Sequence, residues 1–132
     1  MEHQLKVGMK ASVEQIVEEK HTAASVGSGA VRVFATPMMI GIMENAALKA
    51  VQPQLAQDFS TVGIHLDVKH MAATPVGMKV RAEAELIEID GKKLKFKIEA
   101  YDEKDKIGEG IHSRYIILVE KFVENAEGKN HK

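Results

Sequence analysis

An α+β fold, in which an antiparallel sheet wraps around one long central helix, is predicted by three features of the 132-residue chain. One apolar segment carries helix-start and helix-stop residues, the chain after it alternates apolar and polar residues with period two, and a short β-branched stretch precedes it. A helix that is apolar nearly all the way round has to be enclosed, and a sheet that is apolar on one face has to be covered. Each element therefore meets the other's requirement.

Met9 to Glu19 carries Val13, Ile16 and Val17 and is read as the first strand. Val26-Gly27-Ser28-Gly29-Ala30 follows as a mobile loop. The helix runs from Thr36 to Val51, where Thr36 suits an N-cap, Pro37 suits the first helical position and Pro53 closes the segment. In Ile64 to His70 the alternation puts Ile64, Leu66 and Val68 on one face, with His70 continuing it, and His65, Asp67 and Lys69 on the other. Val80 to Leu86 alternates in the same way, and Asp90-Gly91 is a type I′ hairpin signal leading into Leu94 to Ala100. A turn near Glu103-Lys104-Asp105 introduces a long last strand through Ile111 to Val119. The order is strand, buried helix, then four antiparallel strands in a meander, which is the hot-dog architecture. Residues 1–132 form a single domain with no internal repeat or linker, and the polar segment Glu124 to Lys132 is expected to fray. A sheet wrapped around a single helix leaves edges uncovered, so a homodimer with a continuous sheet is the expected remedy.

Composition removes several classes of function. With 18 Lys+Arg against 19 Asp+Glu the formal net charge is -1, which lacks the basic excess of a nucleic-acid binder. The chain has no cysteine, hence no disulfide, thiol nucleophile or thiolate zinc site. The 6 histidines fall at no metal-ligand spacing, no Walker loop occurs, and Gly108-Glu109-Gly110 lacks the third glycine of a dinucleotide fingerprint. No signal-like run opens the chain and no stretch approaches the roughly 20 apolar residues of a membrane span, so a cytoplasmic protein without a membrane partner is expected.

Three residues sit where chemistry is plausible. Glu44 has Ile40, Gly41, Ala47 and Leu48 as its helical neighbours, and a carboxylate among them needs a partner, an exit to solvent or a function. His70 lies on the inward face of its strand, where a histidine is a hydrogen-bonded core residue unless it meets a second functional group such as Glu44. Thr36 is an N-cap when taken alone, but at a helix start its hydroxyl also stands where free N–H groups favour negative charge. Eight residues of helix separate Thr36 from Glu44 by about 12 Å along the axis. Either the helix starts later, or the two act on different parts of a substrate, or they pair across a dimer interface. Met38, Met39 and Met43 at helical spacing are core residues before they are a ligand cluster, and Lys92, Lys93, Lys95 and Lys97 form a solvated strand face before a phosphate site.

The stretches Val33-Phe34-Ala35-Thr36, Met43-Glu44-Asn45-Ala46, Val68-Lys69-His70-Met71-Ala72-Ala73-Thr74-Pro75 with Gly77, Ile107 to Arg114 and Val119-Glu120-Lys121-Phe122 resemble the hot-dog thioesterases related to fluoroacetyl-CoA thioesterase. The resemblance runs from about Gly8 through the final strand. It implies an acyl-CoA thioesterase with a catalytic Thr36, Glu44 and His70, in which Glu44 attacks the thioester or activates water, His70 transfers protons and Thr36 orients. It also implies Gly63 and Arg114 as substrate-binding residues. No cofactor or metal is implied, coenzyme A entering only as part of the substrate. Ser25 to Ala30 departs from the fluoroacetyl-specific pattern by being short, glycine-rich and free of aromatics, so a different small or medium acyl group is expected. The rival readings are a non-catalytic acyl-CoA or hydrophobic ligand-binding protein and a hot-dog acyl-CoA hydratase or dehydratase.

Overall fold

A computed structural model describes residues 3–130 of the chain. The elements are β1 (Lys10–Ile16), α1 (Ala23–Val26), α2 (Thr36–Val51), β2 (Phe59–His70), β3 (Lys79–Asp90), β4 (Lys93–Tyr101), β5 (Lys106–Leu118) and α3 (Val119–Glu127). The strands form one five-stranded sheet in the order β1-β3-β4-β5-β2, with every pairing antiparallel. An antiparallel sheet with one long helix packed on it is the architecture anticipated.

The simple meander holds only for β3, β4 and β5. Instead of lying beside β3, β2 crosses to the far edge and pairs with β5. The connection between β2 and β3, residues 71–78, is too long for a tight hairpin; it carries Pro75 and a positive-φ Gly77 and forms a bridge from Pro75 to Val33. The β3–β4 hairpin turns on Gly91 and Lys92, since Asp90 is already paired with Lys93. Among its residues φ is positive at Gly91 alone, the type II′ pattern rather than the I′ pattern anticipated. The segment after β5 also differs from a frayed tail: α3 begins at Val119 and a 3-10 turn continues through Asn130, all of it exposed.

The core lies between α2 and the sheet. Met39, Ile42, Met43, Ala46, Ala47, Ala50 and Val51 are buried on the helix and meet Val80, Ala82, Ala84 and Leu86 of β3 and Leu94, Phe96, Ile98 and Ala100 of β4. Met39 and Met43 are wholly buried, which makes them packing residues, each worth roughly 1.5–3 kcal/mol. Small residues let the helix approach closely. Met39 lies on the backbone of Gly108, where an added Cβ would come within 2.6 Å of its sulfur.

Enclosure of α2 is incomplete. Pro37 and Gly41 are exposed and Glu44, Asn45 and Leu48 are half-buried, a stripe that follows the helical repeat along the side facing the β2 edge. The apolar face expected on β2 is likewise open. A bulge between Gly63 and His65 breaks the alternation, Ile64 is 51% exposed, and Leu66 is 39% exposed although it shares the helix side of the sheet with the buried His112 opposite it.

Candidate active site

The start of α2 is placed by its flanks. Phe34 N–H donates to the Thr74 carbonyl (2.8 Å) and Ala35 N–H to the His21 carbonyl (2.9 Å), so residues 34–35 are laced between two neighbouring segments. Thr74 is itself buried and donates its hydroxyl to Asp102 (2.8 Å), the carboxylate that closes the β4–β5 turn through the N–H groups of Lys104 and Asp105. This lacing holds the segment that follows β2 against the segment that precedes α2.

The N-cap of α2 is Ala35, not Thr36, and no side chain caps the helix. The physical reason is that the Ala35 carbonyl already accepts the Met39 N–H, which makes Thr36 the first helical residue and Pro37 the second. Its hydroxyl is therefore released from capping and lies 2.7 Å from Nδ1 of His70, the last residue of β2. His70 Nε2 is buried and has no hydrogen-bond partner among the described residues. Burial lowers the His70 pKa below its ordinary value, opposed by the Ala72 backbone, so the imidazole is neutral at physiological pH. Small and apolar residues, among them Ala23, Gly29, Val33 and Phe34, line the concavity over the pair.

Glu44 belongs to a different opening. It lines a concavity on the bare stripe of α2 together with Gly41, Asn45, Leu48, Thr61, Gly63 and Arg114. Gly63 is where this half of the site converges: a Cβ there would stand 3.0 Å from Glu44 Oε2, 3.1 Å from His112 Cε1 and 3.6 Å from Arg114 Nη1. Arg114 is only 6% exposed and donates from Nε to the Thr61 hydroxyl (2.7 Å) and from Nη2 to the Thr61 carbonyl (2.8 Å). Burial lowers the Arg114 pKa and the Glu44 charge opposes that shift.

Thr36 and His70 thus meet within one chain, Glu44 meets Gly63 and the Arg114 group, and the two sets occupy separate concavities. Since α2 does begin at Thr36, a later helix start does not explain the separation. His112, whose Cε1 faces the Gly63 gap, and Thr61, which lines the Glu44 opening, also stand here, and the reading of the alternation missed both. The available signal was His112 and Arg114 two residues apart on one strand face, a polar pair that period two sends toward the helix side with Ile116.

A five-stranded antiparallel sheet packed on one long helix is the hot-dog architecture, and on it an imidazole meets a hydroxyl at the helix start while a carboxylate of the same helix lines a second opening. The sequence profile of the fluoroacetyl-CoA-specific thioesterase FlK matches residues 17–120, and the chain belongs to that family. It is 42% identical over 90 residues to the fluoroacetyl-CoA thioesterase of Streptantibioticus cattleyicolor, a match covering 68% of this chain and 65% of that enzyme, somewhat less than two thirds of its length. The fold is also similar to a solved variant of the fluoroacetyl-CoA-specific thioesterase FlK in complex with fluoroacetate and CoA, with 35% identity, a TM-score of 0.84 and coverage of 89% of this chain and 99% of that one. A thioesterase superfamily member from Thermus thermophilus superposes with a TM-score of 0.85 at 28% identity, covering 96% of this chain and 97% of that one.

Proposed function

We propose that this protein hydrolyses the thioester of a small or medium acyl-CoA in the cytoplasm, using Glu44 as nucleophile or general base, His70 for proton transfer and Thr36 for orientation. The observation that carries the reading is the 2.7 Å contact between the Thr36 hydroxyl and His70 Nδ1, set at the first turn of a helix in a chain of this family. The positive end of that helix, with the Thr36 N–H, favours negative charge developing on a thioester carbonyl. In the water-activating mode Glu44 takes a proton from water as the oxygen adds to the acyl carbon, the C–S bond breaks and the thiolate is protonated. In the nucleophilic mode a Glu44 oxygen adds to the acyl carbon first, the C–S bond breaks and the thiolate leaves and is protonated, and water then opens the resulting anhydride to the acid and the free Glu44 carboxylate.

The homodimer supplies what one protomer keeps apart. The edge of β2 away from β5 is unpaired over a 12-residue strand with apolar side chains left open, a surface that a second copy would extend and cover. Antiparallel pairing of two such edges about a two-fold axis would bring the Thr36 and His70 of one protomer toward the Glu44 of its partner. Gly63 and Arg114 would then border the acyl group. The short, aromatic-free segment Ser25 to Ala30 beside the Thr36 concavity supports an acyl group other than fluoroacetyl.

The test is CoA release from a panel of acyl-CoAs of increasing length by wild type, Glu44→Ala and His70→Ala, each confirmed folded. Turnover of at least one member, lowered about a hundredfold by either substitution, is expected. A folded wild type that releases no CoA from any member would overturn the proposal in favour of a ligand-binding protein.

A further inference from the structure

We infer that His112 is a positioning residue, which holds the Arg114 guanidinium in the one orientation that sets it beside Glu44. The inference deepens the thioesterase reading and rests on it for its catalytic consequence, although the geometry stands alone.

His112 is fully buried, and both ring nitrogens are committed. Nδ1 lies 2.8 Å from the His65 carbonyl, which can only accept, so Nδ1 carries the proton. Nε2 is then an acceptor, and it takes Arg114 Nη1–H at 3.1 Å. The bulge between Gly63 and His65 is where β2 departs from its regular pairing with β5, immediately beside that carbonyl. With Nε and Nη2 on Thr61, all three guanidinium nitrogens are engaged.

This arrangement is costly for a structural purpose. None of the ion pairs among the described residues involves Arg114, whose hydrogen-bond partners are neutral. A cation out of water without a paired anion is expensive, and apolar packing between β2 and β5 would avoid that cost. Glu44, across the gap that Gly63 leaves open, is the carboxylate whose charge acts on both Arg114 and His112. Protonation would abolish the acceptor and set two cations against each other. The groups facing the ring are Arg114 on its own strand, His65 and Gly63 of β2, Glu44 of α2 and the Phe96 ring of β4.

The experiment compares His112→Asn, which keeps a donor for the His65 carbonyl but has nothing at the Nε2 position, with His112→Gln, which can place an acceptor there. Two readouts are taken on folded protein: kcat and KM for CoA release, and the 15N-resolved Arg114 guanidinium resonances. His112→Asn is expected to lower kcat about tenfold with little change in KM, and to collapse the separate Arg114 signals into averaged ones, while His112→Gln restores both. In wild type the Arg114 signals should shift in step with His112 protonation on acidification. Arg114 signals in His112→Asn that match wild type would overturn the inference, whatever happens to kcat. If wild type releases no CoA at all, the thioesterase reading fails, and the guanidinium signals still decide the role of His112.

Discussion

The Thr36 hydroxyl stands 2.7 Å from Nδ1 of His70, joining the first turn of α2 to the last residue of β2. It does so because Ala35 occupies the cap position and leaves that hydroxyl without a backbone partner. Thr36→Val keeps the shape and the β-branch but removes the bond, so it is expected to lower kcat about a hundredfold, whereas Thr36→Ser should stay within a few-fold of wild type. Equal losses in the two variants would show that the methyl group, not the hydroxyl, matters.

In the proposed homodimer, where the Thr36 and His70 of one protomer meet the Glu44 of its partner, inactive variants should complement one another. Mixing Glu44→Ala with His70→Ala under conditions that exchange protomers is expected to restore about a quarter of wild-type activity, since half of the dimers are mixed and one of their two sites is intact. No recovery, with subunit exchange verified, would place the whole constellation within one chain.

Two glycines separate activity from stability. Gly63→Ala puts a methyl 3.0 Å from Glu44 Oε2, at the far end of a flexible side chain, and 3.1 Å from Cε1 of the held His112 ring, so it should cost less stability than Gly108→Ala while CoA release falls about tenfold. Gly108→Ala drives its methyl into the buried Met39 and to 3.0 Å from the Lys69 carbonyl, so it should cost roughly 1–3 kcal/mol in denaturant unfolding. Reversal of this pattern would mean that the Gly63 gap is a packing feature only.

Acid should act on rate and stability in one direction. Burial lowers the pKa of both His70 and His112 from 6.5, so between the unfolded and folded values the unfolded chain binds more protons. Stability contributed by the neutral rings is therefore complete above pH 6.5 and lost as the pH falls through the depressed folded values. Urea midpoints measured from pH 8 to 5 should decline below neutrality, and less steeply in His112→Gln. A His70 that must be neutral to accept a proton makes kcat rise with pH to a plateau, with a midpoint below 6.5. A flat urea midpoint across this range would contradict the burial of both imidazoles.

Single-turnover hydrolysis in 18O-labelled water separates the two roles proposed for Glu44. Label entering the Glu44 carboxylate supports direct attack, and its absence with label in the acid product supports activation of water.

Local patterns carried much of the fold. Period two in Val80 to Leu86 and Leu94 to Ala100 is a property of adjacent residues, so both strands and their buried faces were legible, as was a helix bounded by Pro37 and Pro53. The same alternation marked His70 as inward, and the crowd of apolar neighbours marked Glu44 as unusual. Resemblance, not periodicity, joined them with Thr36 into one constellation.

Tertiary structure decided what depends on distant partners. Alternation states which face a residue occupies but not which strand lies beside it, so only the fold sent β2 past β3 to pair with β5 and bulged it at Gly63. A threonine before a proline looks like a cap because capping is a local bond; that Ala35 takes the position and Thr36 turns to His70 depends on contacts of residues 34–35 with His21 and Thr74. The bonds from His65 to His112 and from His112 to Arg114 likewise need two strands in one register. Faces and element order were written in the sequence, because they are set by the geometry of neighbouring peptides, whereas hydrogen-bond partners across strands were settled only when packing brought together groups tens of residues apart.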